Sequence, residues 1–161
     1  MSKKLSHLDH SGRPIMVDVS AKADTVREAM ARAQVIMSPA AFAAARDGGP
    51  KGEVLRISEV AGIMAAKKTA ELIPLCHPLP LSKVSVAIEP RDDETGYSIT
   101  AIVRTTGKTG VEMEALTAVS VAALTLYDML KAIDKGLVIT EQRLLKKSGG
   151  KSGEWTAEAC G

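Results

Sequence analysis

Proton transfer needs side chains that change charge near neutral pH, and this chain gathers several in short blocks. His77 lies in Pro74-Leu75-Cys76-His77-Pro78, where the prolines leave Cys76 and His77 little backbone freedom. Glu112 and Glu114 bracket Met113, and Asp128 stands three residues before Lys131. On a helix the last two are neighbours. Left exposed, such a pair contributes roughly a few tenths of a kcal/mol, whereas partial burial would press both pKa values toward acid–base use. Glu112 also has a plain structural reading, because Thr109 and Glu112 have the T-x-x-E spacing of a helix capping box. Cys76 and His77 are adjacent rather than spaced as ligands, so no metal site is expected.

Cations supply the second kind of chemistry. Lys51 stands in a Gly-Gly-Pro-Lys-Gly loop, and Lys67-Lys68, Lys108, Lys146-Lys147 and Lys151 fall near predicted loops and element ends. Their plain reading is solubility; the alternative is a polyanion such as a triphosphate. Gly107-Lys108-Thr109 and Gly150-Lys151-Ser152 look like the end of a P-loop. Ile102 and Leu145 occupy the places of the glycine that such a loop requires, so neither is one. Backbone amides at a helix start can still hold an anion.

These groups must be positioned by a few elements. Gly107 to Lys135 reads as one long helix closed by Gly136. Leu116, Val119, Ala123, Leu126, Leu130 and Ile133 share a broad apolar arc, and Glu114, Thr117, Ser120, Thr125, Asp128 and Lys131 gather opposite. That second side is mixed with small and apolar residues, so it is expected to face a partner or pocket. Glu114 and Asp128 point the same way but lie about 21 Å apart along the axis. Two copies packed by two-fold symmetry would bring such opposite ends together.

Thr25 to Met37 alternates and reads as a strand, although its residues favour helix. Ser38-Pro39 opens a short helix, and about Glu53 to Leu72 is helical until Pro74. Val84-Val86-Ile88 and Tyr97-Ile99-Ala101-Val103 form a hairpin, and Leu137 to Lys147 is a last strand. The order strand, helix, strand, strand, helix, strand predicts an α+β fold of ferredoxin-like, split βαβ type: an antiparallel sheet with helices packed on one face. Residues 1–20 read as an N-terminal arm, 21–148 as the domain and 149–161 as a Gly-rich tail.

The chain has 161 residues, 21 Lys and Arg, 19 Asp and Glu and a net charge of +2, too little to argue for nucleic acid. No apolar run approaches a membrane span and no signal sequence opens the chain, so no membrane partner is expected. Cys76 and Cys160 without ligand spacing suit a reduced, cytoplasmic setting. A sheet covered on one face only, in so apolar a chain, argues for oligomers.

The stretches MVDVSAK, KGEV, AGIMAAKKTAELIPLCHPLPLSKV, TGKTGVEMEALTAVSVAALTLYDMLKA and LLKKSGGKSG together resemble the MoaC family of molybdenum-cofactor biosynthesis, from Leu5 to Lys151. The resemblance implies a hexamer, a trimer of dimers, with sites at the dimer interface. It implies a small-molecule nucleotide substrate, 3′,8-cyclo-7,8-dihydro-GTP, supplied by a radical SAM enzyme. The products would be cyclic pyranopterin monophosphate and pyrophosphate, with no cofactor. The family's catalytic positions fall on Lys51, His77, Glu112, Asp128 and Lys131. Cys76, Met113, Glu114, Lys67, Lys147 and Arg27 become substrate-binding candidates. Departures from the family are confined to the N-terminal arm and the turn before Lys51. An RNA-binding module of the same strand order is the rival, but the first strand has no aromatic and the third only Tyr97. A phosphate-sensing module is the other.

Overall fold

The computed structural model describes residues 7–48 and 53–158. Ala29, Ala31, Ala33 and Val35 alternate with half-buried Met30, Arg32, Gln34 and Ile36, so period two outweighs helix propensity and β1 spans Thr25–Ile36. Ser38 then caps α1 (Pro39–Arg46), its hydroxyl accepting from the Ala41 amide at 3.3 Å. The predicted second helix is two: α2 (Val54–Lys67) ends at Lys68, and a single turn, α3 (Thr69–Leu72), follows. β2 (Leu81–Pro90) and β3 (Gly96–Gly107) form the expected hairpin, ahead of α4 (Glu112–Leu130) and β4 (Val138–Ser148).

All pairings are antiparallel and the strand order is β2-β3-β1-β4-β5. β3 lies between β1 and β2, and β1 between β3 and β4, so each long helix connects two strands separated by a third. This is the split βαβ arrangement that the sequence predicts. β5 (Trp155–Thr156) was not foreseen: part of the Gly-rich tail pairs with Lys146 and Lys147 of β4.

The core lies between the sheet and α2 and α4. Ala115, Ala118, Val119, Ala122, Ala123, Leu126 and Leu130 of α4 are buried, a broader arc than one sheet-facing stripe because α2 packs on its flank. Gly62 makes that approach possible, since a Cβ there would lie 2.8 Å from the Ala118 carbonyl oxygen and 3.2 Å from Ala122 Cβ. With a mean hydropathy of 1.3, α4 is long and apolar enough to cross a membrane, contrary to the expectation that no run approaches one. Its packing against α2, β1, β3 and β4 makes it the central core helix instead.

Both predicted ends of this helix need correction. No capping box forms: Val111 is the N-cap, no side chain caps it, and Glu112 pairs elsewhere. At the other end Lys131 is the C-cap, Gly136 is not left-handed, and Ile133 lies beyond the helix and is exposed. Asp134 closes this turn instead. Its carboxylate accepts from the Ser38 amide at 2.7 Å and the Gly136 amide at 2.8 Å.

The RNA-binding rival loses its last aromatic here. Tyr97 is buried on the helix-covered face, stacked on Phe42 with ring centroids 4.9 Å apart. The uncovered face of β1 and β3 carries Met30, Arg32, Gln34, Ser98, Thr100 and Ile102, which offers no stacking platform.

Candidate active site

Three segments converge on the N-terminal end of α4. The loop after α3 contributes Leu75, Cys76, His77 and Leu79. The β3–α4 turn and first helical turn contribute Thr109, Gly110, Glu112, Met113 and Glu114. His7, Val17, Val19 and Lys22 come from the N-terminal stretch, and together these line a cavity of ≈ 360 Å³. His7, Val17 and Val19 of the N-terminal arm thus form part of the wall of the site.

His77 is oriented by that wall. Its Nε2 lies 2.8 Å from the Val17 carbonyl oxygen, which can only accept, so Nε2 carries the proton. In the neutral ring the lone pair is then on Nδ1, which suits it to accept a proton.

Glu114 is buried, 4% exposed, although it is charged in most settings. Burial, and then the neighbouring Glu112 carboxylate, push its pKa up to about 7. It can therefore give or take a proton near neutrality. Burial and the Glu114 charge likewise push the Cys76 thiol up, which disfavours a thiolate. Glu112 forms an ion pair, with Lys147 Nζ 2.9 Å from its Oε1 and both side chains about 30% exposed.

A second set of cations stands beside this wall. Arg27, near the start of β1, donates Nε to the Gly107 carbonyl at 3.0 Å and Nη2 to the Lys108 carbonyl at 3.2 Å. Lys108 Nζ reaches the Ser20 carbonyl at 2.7 Å. Arg27 also touches Gly150, so it gathers the two glycine-lysine segments that the sequence singled out.

Asp128 and Lys131 are not in this cavity. They form an ion pair of 2.7 Å at the far end of α4, with side chains 60% and 54% exposed. Within one chain both are open to solvent, and the hydrogen bond that Lys131 donates to the Asp128 carboxylate raises the Lys131 pKa. The fold therefore joins Cys76, His77, Glu112, Met113, Glu114 and, through Glu112, Lys147, with Arg27 alongside. Lys67 is exposed in the last turn of α2 and lines no part of the cavity. Lys51, and Cys160 with it, lies outside the described residues.

Sequence reasoning missed Val17, Val19 and Lys22 as wall residues. The alternation of Val17 and Val19 around Asp18 was the available signal. Among the described residues no three His, Cys, Asp or Glu side chains cluster to hold a metal ion.

A split βαβ subunit in which a histidine and a buried acid share a cavity flanked by lysines and an arginine has the make-up of an acid–base enzyme. The model of the MoaC family matches residues 16–150, and the chain belongs to that family. It is 59% identical over 155 residues to the cyclic pyranopterin monophosphate synthase of Nostoc sp., covering 96% of this chain and 92% of that one. The enzyme of the same name from Chloroflexus aggregans is 59% identical over 156 residues, with 96% and 94% covered. That from Rhodospirillum rubrum is 56% identical over 154 residues, with 95% and 93% covered.

Proposed function

We propose that this chain is a cyclic pyranopterin monophosphate synthase of molybdenum-cofactor biosynthesis, converting 3′,8-cyclo-7,8-dihydro-GTP with release of pyrophosphate. The observation that carries this reading is the cavity at the start of α4, where His77, Glu112 and Glu114 meet within reach of Lys147. The names of the relatives over nearly the whole chain support the same activity. Opening the purine imidazole ring and closing a pyrazine requires several proton transfers. His77 Nδ1 and Glu114, both lining this cavity, would supply an acceptor and a donor. Met113 and Cys76 form its apolar wall. Closing the cyclic phosphate then needs a sugar hydroxyl to attack the α-phosphorus. A P–O bond forms, the bond to the bridging oxygen breaks, the hydroxyl proton passes to a base, and pyrophosphate departs. Lys147 and Arg27 are proposed to bear that developing charge, with Lys67, which lies outside this cavity, joining them only from a second copy.

Asp128 and Lys131 enter this scheme from a second copy, because about 21 Å of helix separates them from Glu114 in their own. Asp128 keeps Lys131 protonated, which suits a proton donor or charge stabiliser rather than a base. Lys51, a catalytic position implied by the family resemblance, is proposed to serve the same reaction. A homo-oligomer, the hexamer (a trimer of dimers) implied by the family resemblance, and supply of the substrate by a radical SAM enzyme in the cytoplasm complete the reading.

Incubating the protein with the cyclised GTP compound tests it. Stoichiometric pyrophosphate and cyclic pyranopterin monophosphate are expected, and Lys131→Ala should lower turnover at least about a hundredfold. Substrate bound but recovered unchanged would leave a phosphate-sensing module instead.

A further inference from the structure

We propose that Lys108, which the reaction scheme leaves unused, is a positioning residue for His77. It fastens the strap of chain whose Val17 carbonyl orients that histidine. Residues 16–24 run between the Leu8–Pro14 bridge and β1 and pair with no strand among the described residues. Two hydrogen bonds from distant parts of the fold hold this strap. His77 donates Nε2–H to the Val17 carbonyl at 2.8 Å, and Lys108 Nζ donates to the Ser20 carbonyl at 2.7 Å.

Between those two points the strap is braced from within. The Asp18 carboxylate accepts from the Ser20 amide at 2.9 Å, and the Lys22 amide donates to the Val19 carbonyl at 3.0 Å. Such turns restrict the backbone they span, so a shift at Ser20 carries to Val17. Lys108 is itself held at its root, because Arg27 donates to the Gly107 and Lys108 carbonyls. Its charge also acts on the strap: after the Ser20 hydrogen bonds, it helps to hold the Asp18 carboxyl below its usual value. Lys108 does not line the cavity at the start of α4, so it reaches the reaction through the strap and not by touching a ligand. A neutral imidazole carries its proton on either nitrogen, and the partner of one nitrogen decides which. With the strap fastened, the lone pair stays on Nδ1. With the strap loose, Nε2 is released to water and the ring loses its fixed orientation. This inference rests on the reading of His77 as a proton acceptor in the proposed reaction.

Nuclear magnetic resonance of the substrate-free protein with isotope-labelled histidine tests it, the His77 signal being assigned by its loss in His77→Ala. The Nε2 proton should exchange slowly with water in the wild type and in Lys108→Arg, and exchange too fast to observe in Lys108→Met. Lys108→Gln, polar but shorter by a bond, should behave as Lys108→Met does. In both of these variants kcat should fall about tenfold while KM stays within about twofold, and arginine should restore kcat. A protected Nε2 proton in Lys108→Met and Lys108→Gln, with native melting curves, would overturn the proposal. So would a KM raised about tenfold with the His77 signal unchanged, because that marks direct contact with the substrate. If the His77 signal responds but the wild type does not turn over the cyclised GTP compound, the proposed activity falls and the role of Lys108 stands. If turnover proceeds and neither the signal nor kcat responds to Lys108, the positioning falls and the activity stands.

Discussion

Glu114 shows how the environment, not the residue type, sets the chemistry. Two carboxylates two positions apart meet different surroundings: Glu112 pairs with Lys147, while burial opposes charge on Glu114. The consequence is visible in stability. Between the ordinary value of 4.5 and about 7 the folded chain keeps the Glu114 proton that the unfolded chain has lost. The folded state then binds more protons, so this residue makes stability fall as pH rises through that window. Glu114→Gln should abolish the slope and raise stability at pH 8 by about 1–2 kcal/mol, less than full linkage because the cavity admits water. Urea melts of both proteins at pH 4.5 and pH 8 measure it, and an unchanged slope would mean that Glu114 is ionised throughout. The histidine and both glutamates were legible in the sequence as titratable groups in short blocks. Which glutamate is buried was not, since that depends on the loop from Leu75 to Leu79 and on Val17 and Val19 folding over it.

At the scale of elements, the site depends on how closely α2 and α4 approach. The loop carrying Cys76 and His77 follows α2 and α3, so the position of α2 on α4 sets where His77 meets Glu114. At Gly62 α2 lies too close to Ala118 and Ala122 of α4 for a side chain to fit. Gly62→Val must push the helices apart and should cost about 1–3 kcal/mol, with loss of turnover exceeding what the lower melting temperature explains. A variant with native stability and activity would show that the crossing tolerates a side chain. The strands were legible because their alternation is strict: Ala29, Ala31, Ala33 and Val35 face the core as their spacing requires. The ends of α4 were not. Thr109 and Glu112 match a capping box, yet Glu112 turns to Lys147 on β4, a partner distant in the sequence. Gly136 likewise looked like a helix stop, whereas Asp134 closes that turn by holding Ser38 and Gly136. Local spacing does not reveal a competitor supplied by another strand.

At the scale of the molecule, one long helix keeps two reactive groups apart. His77, Glu112 and Glu114 stand at its start, and Asp128 with Lys131 at its end. In the proposed two-fold pair of subunits, the start of one helix would stand against the end of the other, so that His77 of one copy could act with Lys131 of the next. Exposure of Ile57, Val60, Met64 and Leu124 on α2 and α4 leaves apolar surface for subunit contacts. The decisive measurement mixes two variants, His77→Ala and Lys131→Ala, each inactive alone, after joint unfolding and refolding. In a randomly paired dimer one of the two sites in each mixed pair regains both wild-type halves. Activity should then return to about a quarter of the wild-type level. A mixture as inactive as its components would contradict a site shared between copies.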